Sequence, residues 1–281
     1  MAEILMAGNK TPDSLALIAG KGAYPLLLAR SAKQQGVRRV VAIAFRHETE
    51  AAIEKCADEV KWLHLGQLQA LLDAVKATGI KNAVMAGQLT PTALFHVRLD
   101  ALALAEIGRL KVRNAETIFG AVAVLLKQNG VDLLPAYQFM ESHMPAAGVL
   151  SSRPPTEQEQ SDIALGFKAA KITSGIDIGQ TVVVKDGVIL AVEAFEGTDA
   201  TIKRAHDLHG AGTVIVKVAK RGHDMRFDIP IIGMGTMKLI KKVRAAVLAV
   251  EAHRTILLER EKVVDEANRL GMSLVAIEEN L

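Results

Sequence analysis

Short apolar runs alternate with stretches in which apolar residues return every three or four positions, and this alternation organises the first half of the chain. The run at 14–19 predicts a strand, 23–35 a helix, and 38–45, rich in β-branched residues, a second strand. Strands at 61–65 and 82–85 continue the series, with a helix at 67–78 between them. Helices at 100–110 and 115–128 follow, the latter closed by Asn129-Gly130, a C-cap signal. Within the first of these, the apolar segment 99–105 has helical spacing and is read as core rather than as an acyl-chain groove. A β-α-β rhythm of this kind predicts a doubly wound, Rossmann-like parallel sheet over 14–140, preceded by a loose arm at 1–13.

The pattern breaks at Met144-Pro145-Ala146-Ala147-Gly148 and Ser151-Ser152-Arg153-Pro154-Pro155, which neither a helix nor a central strand tolerates. A linker is therefore expected at 141–156 and a second, mixed α/β domain at 157–281. Its elements read as a helix at 158–172, a hairpin turning at Lys185-Asp186-Gly187, and a strand at 213–219. A helix at 236–253, a strand at 255–258, a helix at 261–270 and a strand at 273–277 complete it.

Composition narrows the function classes. Half of the 281 residues are apolar and 23% are charged, ample for folded domains with large cores. The net charge of +3 is not gathered into a basic run, so nucleic acid is not demanded and a small anionic ligand fits better. Cys56 is the only cysteine; it reads as a buried small apolar residue, without a disulfide or a cysteine metal cluster. No run approaches the roughly 20 apolar residues of a membrane span, and no signal-like start is present, so a cytoplasmic protein is expected.

Two acidic clusters carry the chemistry. Glu193, Glu196 and Asp199 follow directly on an apolar strand. Neighbouring carboxylates raise one another's pKa unless a cation favours the ionised form, so the trio reads as a site for a hard ion such as magnesium. A solvated loop after the hairpin would also account for it. In the second cluster Lys217, Lys220, Arg221 and Arg226 are interleaved with Asp224 and Asp228, a mixture suited to holding a phosphate, a divalent ion and a water. Surface ion pairs are the alternative. His223 stands beside Asp224 and suits a phosphate contact, whereas His64, His96, His143, His206, His209 and His253 are dispersed without ligand spacing.

Gly20-x-Gly22-x-x-Pro25, between a strand and a helix, has the form of an anion cradle or of a tight turn for close packing. It is not a dinucleotide fingerprint. Pro25 stands where the third glycine or alanine belongs, and Phe45-Arg46-His47 stands where an acidic residue should end the second strand, which disfavours a nicotinamide enzyme.

The stretch DIGQ-x-VVV-x-DG-x-ILAVEA-x-EGTDA beginning at Asp177, Arg204 shortly after it, and RFDIP-x-IG-x-x-T beginning at Arg226 resemble the LpxI-type UDP-2,3-diacylglucosamine pyrophosphatases of lipid A biosynthesis. The likeness extends to Leu17-Ile18-Ala19-Gly20-Lys21-Gly22-Ala23-Tyr24-Pro25 and to Met85-Ala86-Gly87-Gln88, similar to that family's two glycine loops. The resemblance implies hydrolysis of UDP-2,3-diacylglucosamine to UMP and 2,3-diacylglucosamine 1-phosphate in an active-site cleft between the two domains, with Gly20, Gly22, Gly87 and Gln88 forming one wall. It also implies that Asp228, matching the family's central aspartate, binds metal or orients water.

Cleaving a diphosphate requires charge neutralisation, in-line positioning and removal of a proton. Glu193, Glu196, Asp199 and Asp228 are the expected ligands of Mg2+ or Mn2+, and Asp228, Glu196 and Asp199 the expected catalytic acids. Arg204, Lys217, Lys220 and Arg226 are the expected phosphate clamps, with Gln180 and Thr198 as further hydrogen-bond donors. The lipid nucleotide-sugar is the expected partner; the resemblance leaves room for peripheral contact with the inner membrane and for a homodimer. Asn114-Ala115-Glu116 departs from the family's Gly-Asp-Asp. A nucleotide-sugar or lipid-binding protein without turnover would use the same residues.

Overall fold

Five short strands set the architecture of the first unit. The computed structural model describes residues 11–88, 98–112, 114–222, 224–227 and 229–279. Strands β1 (Ser14–Ala19), β2 (Arg39–Phe45), β3 (Glu59–Leu63), β4 (Asn82–Ala86) and β5 (Asp132–Leu133) form a parallel sheet in the order β3-β2-β1-β4-β5. Ala16, Ile18, Val41, Ile43, Phe45, Ala83 and Met85 share one core with residues of helices α2 (Leu68–Ala77) and α4 (Ala115–Gln128). The alternate residues Leu15, Leu17, Val40, Ala42 and Val84 are equally buried, as a sheet covered on both faces requires. Helix α1 (Tyr24–Gln34) packs on β1, β2 and β4.

Helix α3 (Ala101–Arg109) starts at Asp100, whose side chain accepts from the Ala103 N–H, and α4 starts at Asn114, which accepts from the Thr117 N–H. Asn114 thus serves as an N-cap. In α3, Ala103 is buried while Leu104 is 59% exposed, so only part of the apolar run at 99–105 is core.

The second unit holds a six-stranded mixed sheet. Its strands are β6 (Gly148–Val149), β7 (Thr181–Lys185), β8 (Val188–Val192), β9 (Val214–Lys217), β11 (Val247–Glu251) and β13 (Ser273–Ile277), in the order β6-β13-β11-β9-β7-β8. Strands β9, β11 and β13 are parallel; β6 and the β7–β8 hairpin run antiparallel. β10 (Ile231–Ile232) and β12 (Ile256–Leu257) form a separate parallel pair.

Helix α5 (Glu157–Gly175) covers one face of the sheet. It opens with a capping box, Thr156 to Glu159 and back, and lies so close that a Cβ on Gly166 would stand 2.6 Å from Val216 Cγ2. Helices α6 (Thr198–His209), α7 (Met234–Val243) and α8 (Arg260–Leu270) share the core of the other face with Val183, Ile215, Leu248, Val250 and Leu274.

One unit comprises Met1–Phe139 with Asp224–Asp228, the other Met140–His223 with Ile229–Leu281. The short excursion from the second half of the chain supplies Phe227, whose ring lies 5.9 Å from that of Phe119, and Met225, whose carbonyl accepts the Ala136 N–H at 2.7 Å.

The structure corrects two of the predicted elements. The helix at 236–253 is two elements: α7 ends at Arg244 in the left-handed region (φ 51°), and β11 follows. β11 is central and covered on both faces, so its residues are apolar without alternation and mimic a buried helix. The third strand lies two residues earlier than expected, at Glu59–Leu63. Helix α6, which begins at Thr198 within the acidic stretch, is not among the predicted elements.

Candidate active site

In the second unit the ends of β7, β8 and β9 converge with the first turn of α6. The Glu193 N–H donates to the Thr181 carbonyl at 2.8 Å, extending the hairpin by one residue. Gly179 lies against this point so closely that a Cβ there would stand 2.1 Å from the Glu193 carbonyl oxygen. The chain then turns through Gly197 (φ 82°), a conformation that favours glycine, into α6.

This route brings Glu193, Thr198 and Lys217 together. The Thr198 hydroxyl donates to Glu193 Oε1 at 2.9 Å and accepts from Lys217 Nζ at 2.7 Å; Thr181 Oγ1 lies 3.4 Å away. Glu193 Oε2 is buried and has no hydrogen-bond partner among the described residues. A buried carboxylate oxygen left unpaired is costly, and oxygen of this kind is what a hard divalent ion takes as ligand. The Glu193 carboxylate therefore has the oxygen chemistry that would suit a magnesium or manganese ion.

Glu196 and Asp199 are placed differently from Glu193. Glu196 Oε1 accepts from Arg204 Nη2 at 2.6 Å and from Thr201 at 3.2 Å, and Oε2 accepts the Ala194 N–H at 3.2 Å. The Arg204 hydrogen bond, with the bonds from backbone and Thr201, holds its carboxyl below the usual range. Arg204 also donates to the Val192 carbonyl at 2.9 Å, so it braces the end of β8. Asp199 is exposed in the first turn of α6. Among the described residues, no three His, Cys, Asp or Glu side chains gather where they could hold a metal ion. Asp228 and His223 lie outside the described residues, as do His96 and the first ten residues of the expected arm.

Gln180 is half-buried at the start of β7, and its carbonyl accepts the Val218 N–H at 3.0 Å. Lys220 pairs with Asp177 at 3.4 Å and Arg221 with Glu279, whose carboxyl is held low chiefly by that guanidinium. A buried pair, Lys171 and Glu251, lies behind this loop with Nζ to Oε1 at 2.9 Å. Sequence reading missed Thr181, Lys171 and Glu251. Lys171 had a signal, since it falls among Ile163, Gly166, Ala170 and Ser174 on the buried stripe of α5. Glu251 had none once its strand was read as helix.

In the first unit the two glycine loops meet. They follow β1 and β4, the neighbours between which the strand order reverses, the place where open α/β sheets hold ligands. The Gly20 N–H donates to the Ala86 carbonyl at 2.8 Å, and Lys21 and Gln88 exchange backbone hydrogen bonds at 2.8 and 3.1 Å. A Cβ on Gly20 would stand 2.6 Å from the Gln88 carbonyl oxygen, and one on Gly87 (φ 98°) 2.8 Å from the Gly20 carbonyl carbon. These two glycines are thus required by the close approach of backbone to backbone. Gly22 (φ 92°) has open space where a Cβ would point. In the same unit Arg226 is bound to Asp224 by a two-pronged contact, Nη2 to Oδ2 at 2.6 Å and Nε to Oδ1 at 2.9 Å, which raises the guanidinium pKa.

Comparison with known proteins bears on both units. The model of the LpxI N-terminal domain matches residues 14–143, and that of the LpxI C-terminal domain matches residues 146–275. The UDP-2,3-diacylglucosamine pyrophosphatase LpxI of Caulobacter vibrioides is 27% identical over 277 residues, covering 94% of this chain and 97% of that protein. Solved structures show only a distant likeness. The biotin carboxylase domain of the Hydrogenobacter thermophilus 2-oxoglutarate carboxylase is 15% identical, with a TM-score of 0.27 over 69% of this chain and 40% of its own. The phosphoribosylglycinamide synthetase of Anaerococcus prevotii is 14% identical, with a TM-score of 0.26 over 72% and 44%. The chain spans less than half of each.

Proposed function

Because the chain belongs to the LpxI family of UDP-2,3-diacylglucosamine pyrophosphatases, we propose that it hydrolyses the diphosphate of UDP-2,3-diacylglucosamine in a reaction dependent on a divalent ion, releasing UMP and 2,3-diacylglucosamine 1-phosphate. What carries this reading is the match of both family domains, in order, along nearly the whole chain. The unpaired buried oxygen of Glu193, beside two hydroxyls and a lysine, supports the placement of the chemistry.

Glu193 and Asp228 are the proposed ligands of Mg2+ or Mn2+, with Asp199 and Glu196 as further acids at the rim. Such an ion supplies neutralisation of the diphosphate charge. The protein's own groups do the rest. Lys217, held through Thr198, and Lys220, held through Asp177, present ammonium groups to the phosphate oxygens. Thr198 orients Glu193 by donating to Oε1. Arg204 fixes the turn between β8 and α6 and brings positive charge to the same rim, and Asp228 is the proposed acceptor of the proton from the attacking water. Gly20, Gly22, Gly87 and Gln88 are the proposed nucleotide wall, with Gln180 and Arg226 as further substrate contacts.

The reading includes a cytoplasmic protein in peripheral contact with the membrane that holds a diacylated substrate. Among the described residues no helix is long and apolar enough to cross a membrane. Phe195, Ile176 and Leu208 of the second unit are exposed by 85%, 68% and 67%.

Phosphorus NMR of the purified protein with the lipid nucleotide tests the proposal. The diphosphate resonances are expected to give way to two phosphomonoesters, to persist under EDTA, and to convert again when magnesium is restored. Persistence in the presence of magnesium would show a binder without turnover. Conversion that EDTA leaves untouched would remove the metal from the mechanism.

A further inference from the structure

Lys171 and Glu251 are 4% and 3% exposed, and the proposed mechanism makes no use of them. Lys171 Nζ donates to Glu251 Oε1 at 2.9 Å, to Oε2 at 3.0 Å and to the Ala219 carbonyl at 2.9 Å. Glu251 Oε2 in turn accepts the Ala219 N–H at 2.8 Å. Both backbone polar groups of Ala219 therefore end on one buried charge pair. Ala219 lies past the last ladder pair of β9 with β11, Lys217 opposite Val250, so the sheet offers it no partner.

An apolar pair of similar volume would hold α5 on the sheet at least as well, because desolvating two charges offsets most of their attraction. It would, however, orphan the Ala219 N–H and carbonyl. The pair thus governs one short piece of backbone, and the residues flanking that piece are Lys217 and Lys220. Lys217 reaches Thr198, and Lys220 reaches Asp177. Further charges close the network: Arg254 lies 3.6 Å from Glu251, and Glu279 lies 3.7 Å from Lys171.

We infer that Lys171 and Glu251 are positioning residues for phosphate recognition, fixing through the Ala219 peptide the directions in which Lys217 and Lys220 leave the sheet. The inference rests on the phosphate role given above to those two lysines. The pair itself touches no substrate.

The test is a set of double-mutant cycles on the full chain, with melting temperature measured alongside. K171M is expected to lower kcat/KM by roughly 10- to 100-fold, the scale on which small misplacements of binding groups act. K217A and K220A should then cost less in the K171M background than in the wild type, because the lysines are already misdirected. K171M/E251L, the apolar pair, removes both partners of Ala219 without leaving a buried charge unpaired, and carries the same cycles where K171M alone does not fold. A purely structural pair would lower the melting temperature while leaving kcat/KM per folded molecule unchanged and the lysine effects additive; that result overturns the inference. Wild-type turnover is measured first, so that absence of hydrolysis counts against the proposed reaction, and turnover with additive cycles against the positioning role alone.

Discussion

Gly179→Ala puts the geometry around Glu193 to its most direct test. The ideal Cβ would stand 2.1 Å from the Glu193 carbonyl oxygen and 2.5 Å from its carbonyl carbon, on a backbone held by the hydrogen bond to Thr181, and 2.9 Å from the Glu193 Cβ. Opening the shortest of these to the 3.0 Å floor of real contacts requires a shift of about 0.9 Å. Overpacking of this kind costs about 1–3 kcal/mol, or a fall of roughly 3–10 °C in Tm for a unit of this size. A displacement near 1 Å at a group that positions substrate or ion costs on the order of 100-fold in rate. Gly175→Ala is the control, since among the described residues nothing outside its own helix turn lies within 4 Å of its Cβ and alanine favours the last turn of α5. The assay is steady-state release of UMP together with thermal unfolding of both variants. If G179A matched G175A in both readouts, the close packing of Gly179 on Glu193 would be wrong, and with it the placement of the site.

Two further outcomes follow from the same region. Thr198→Val keeps the β-branched shape but removes the hydroxyl between Lys217 and Glu193; stability should fall by about 1–3 kcal/mol and kcat/KM should fall with it, and unchanged kinetics would take Thr198 out of the site. Arg204→Met frees Glu196, whose folded pKa is depressed chiefly by the Arg204 hydrogen bond. The stability from that depression is present above the ordinary carboxylate pKa and is lost as pH falls through the lowered value. Melting curves should therefore show a shallower acid-side decline in R204M than in the wild type, and parallel declines would dissociate the pair.

The parts of the fold legible in the sequence are those where period and punctuation agree. β1 lies at Ser14–Ala19 and α4 at Ala115–Gln128, as their patterns predict, and Asp186-Gly187 turns the β7–β8 hairpin. β11 was illegible because two covering layers erase the alternation that marks a strand. α6 was missed because its cap, Gly197, offers no side chain to signal a start. In the site, chemistry was legible by residue type but not by partner. Glu193, Glu196 and Asp199 look like one trio in sequence, yet Glu196 finds Arg204 across a turn and Glu193 finds Thr198 and Lys217. Such pairings depend on three strands and a helix that no local spacing encodes.

The borrowed segment at Asp224–Asp228 has a consequence for biosynthesis. When Phe139 leaves the ribosome, the first unit still lacks the carbonyl that receives the Ala136 N–H and the ring that stacks near Phe119. At about 5–20 residues per second, the 88 residues from there to Phe227 take roughly 4–18 s to synthesise. The nascent N-terminal half must wait that long, with a seam open beside its sheet, for a part encoded far downstream.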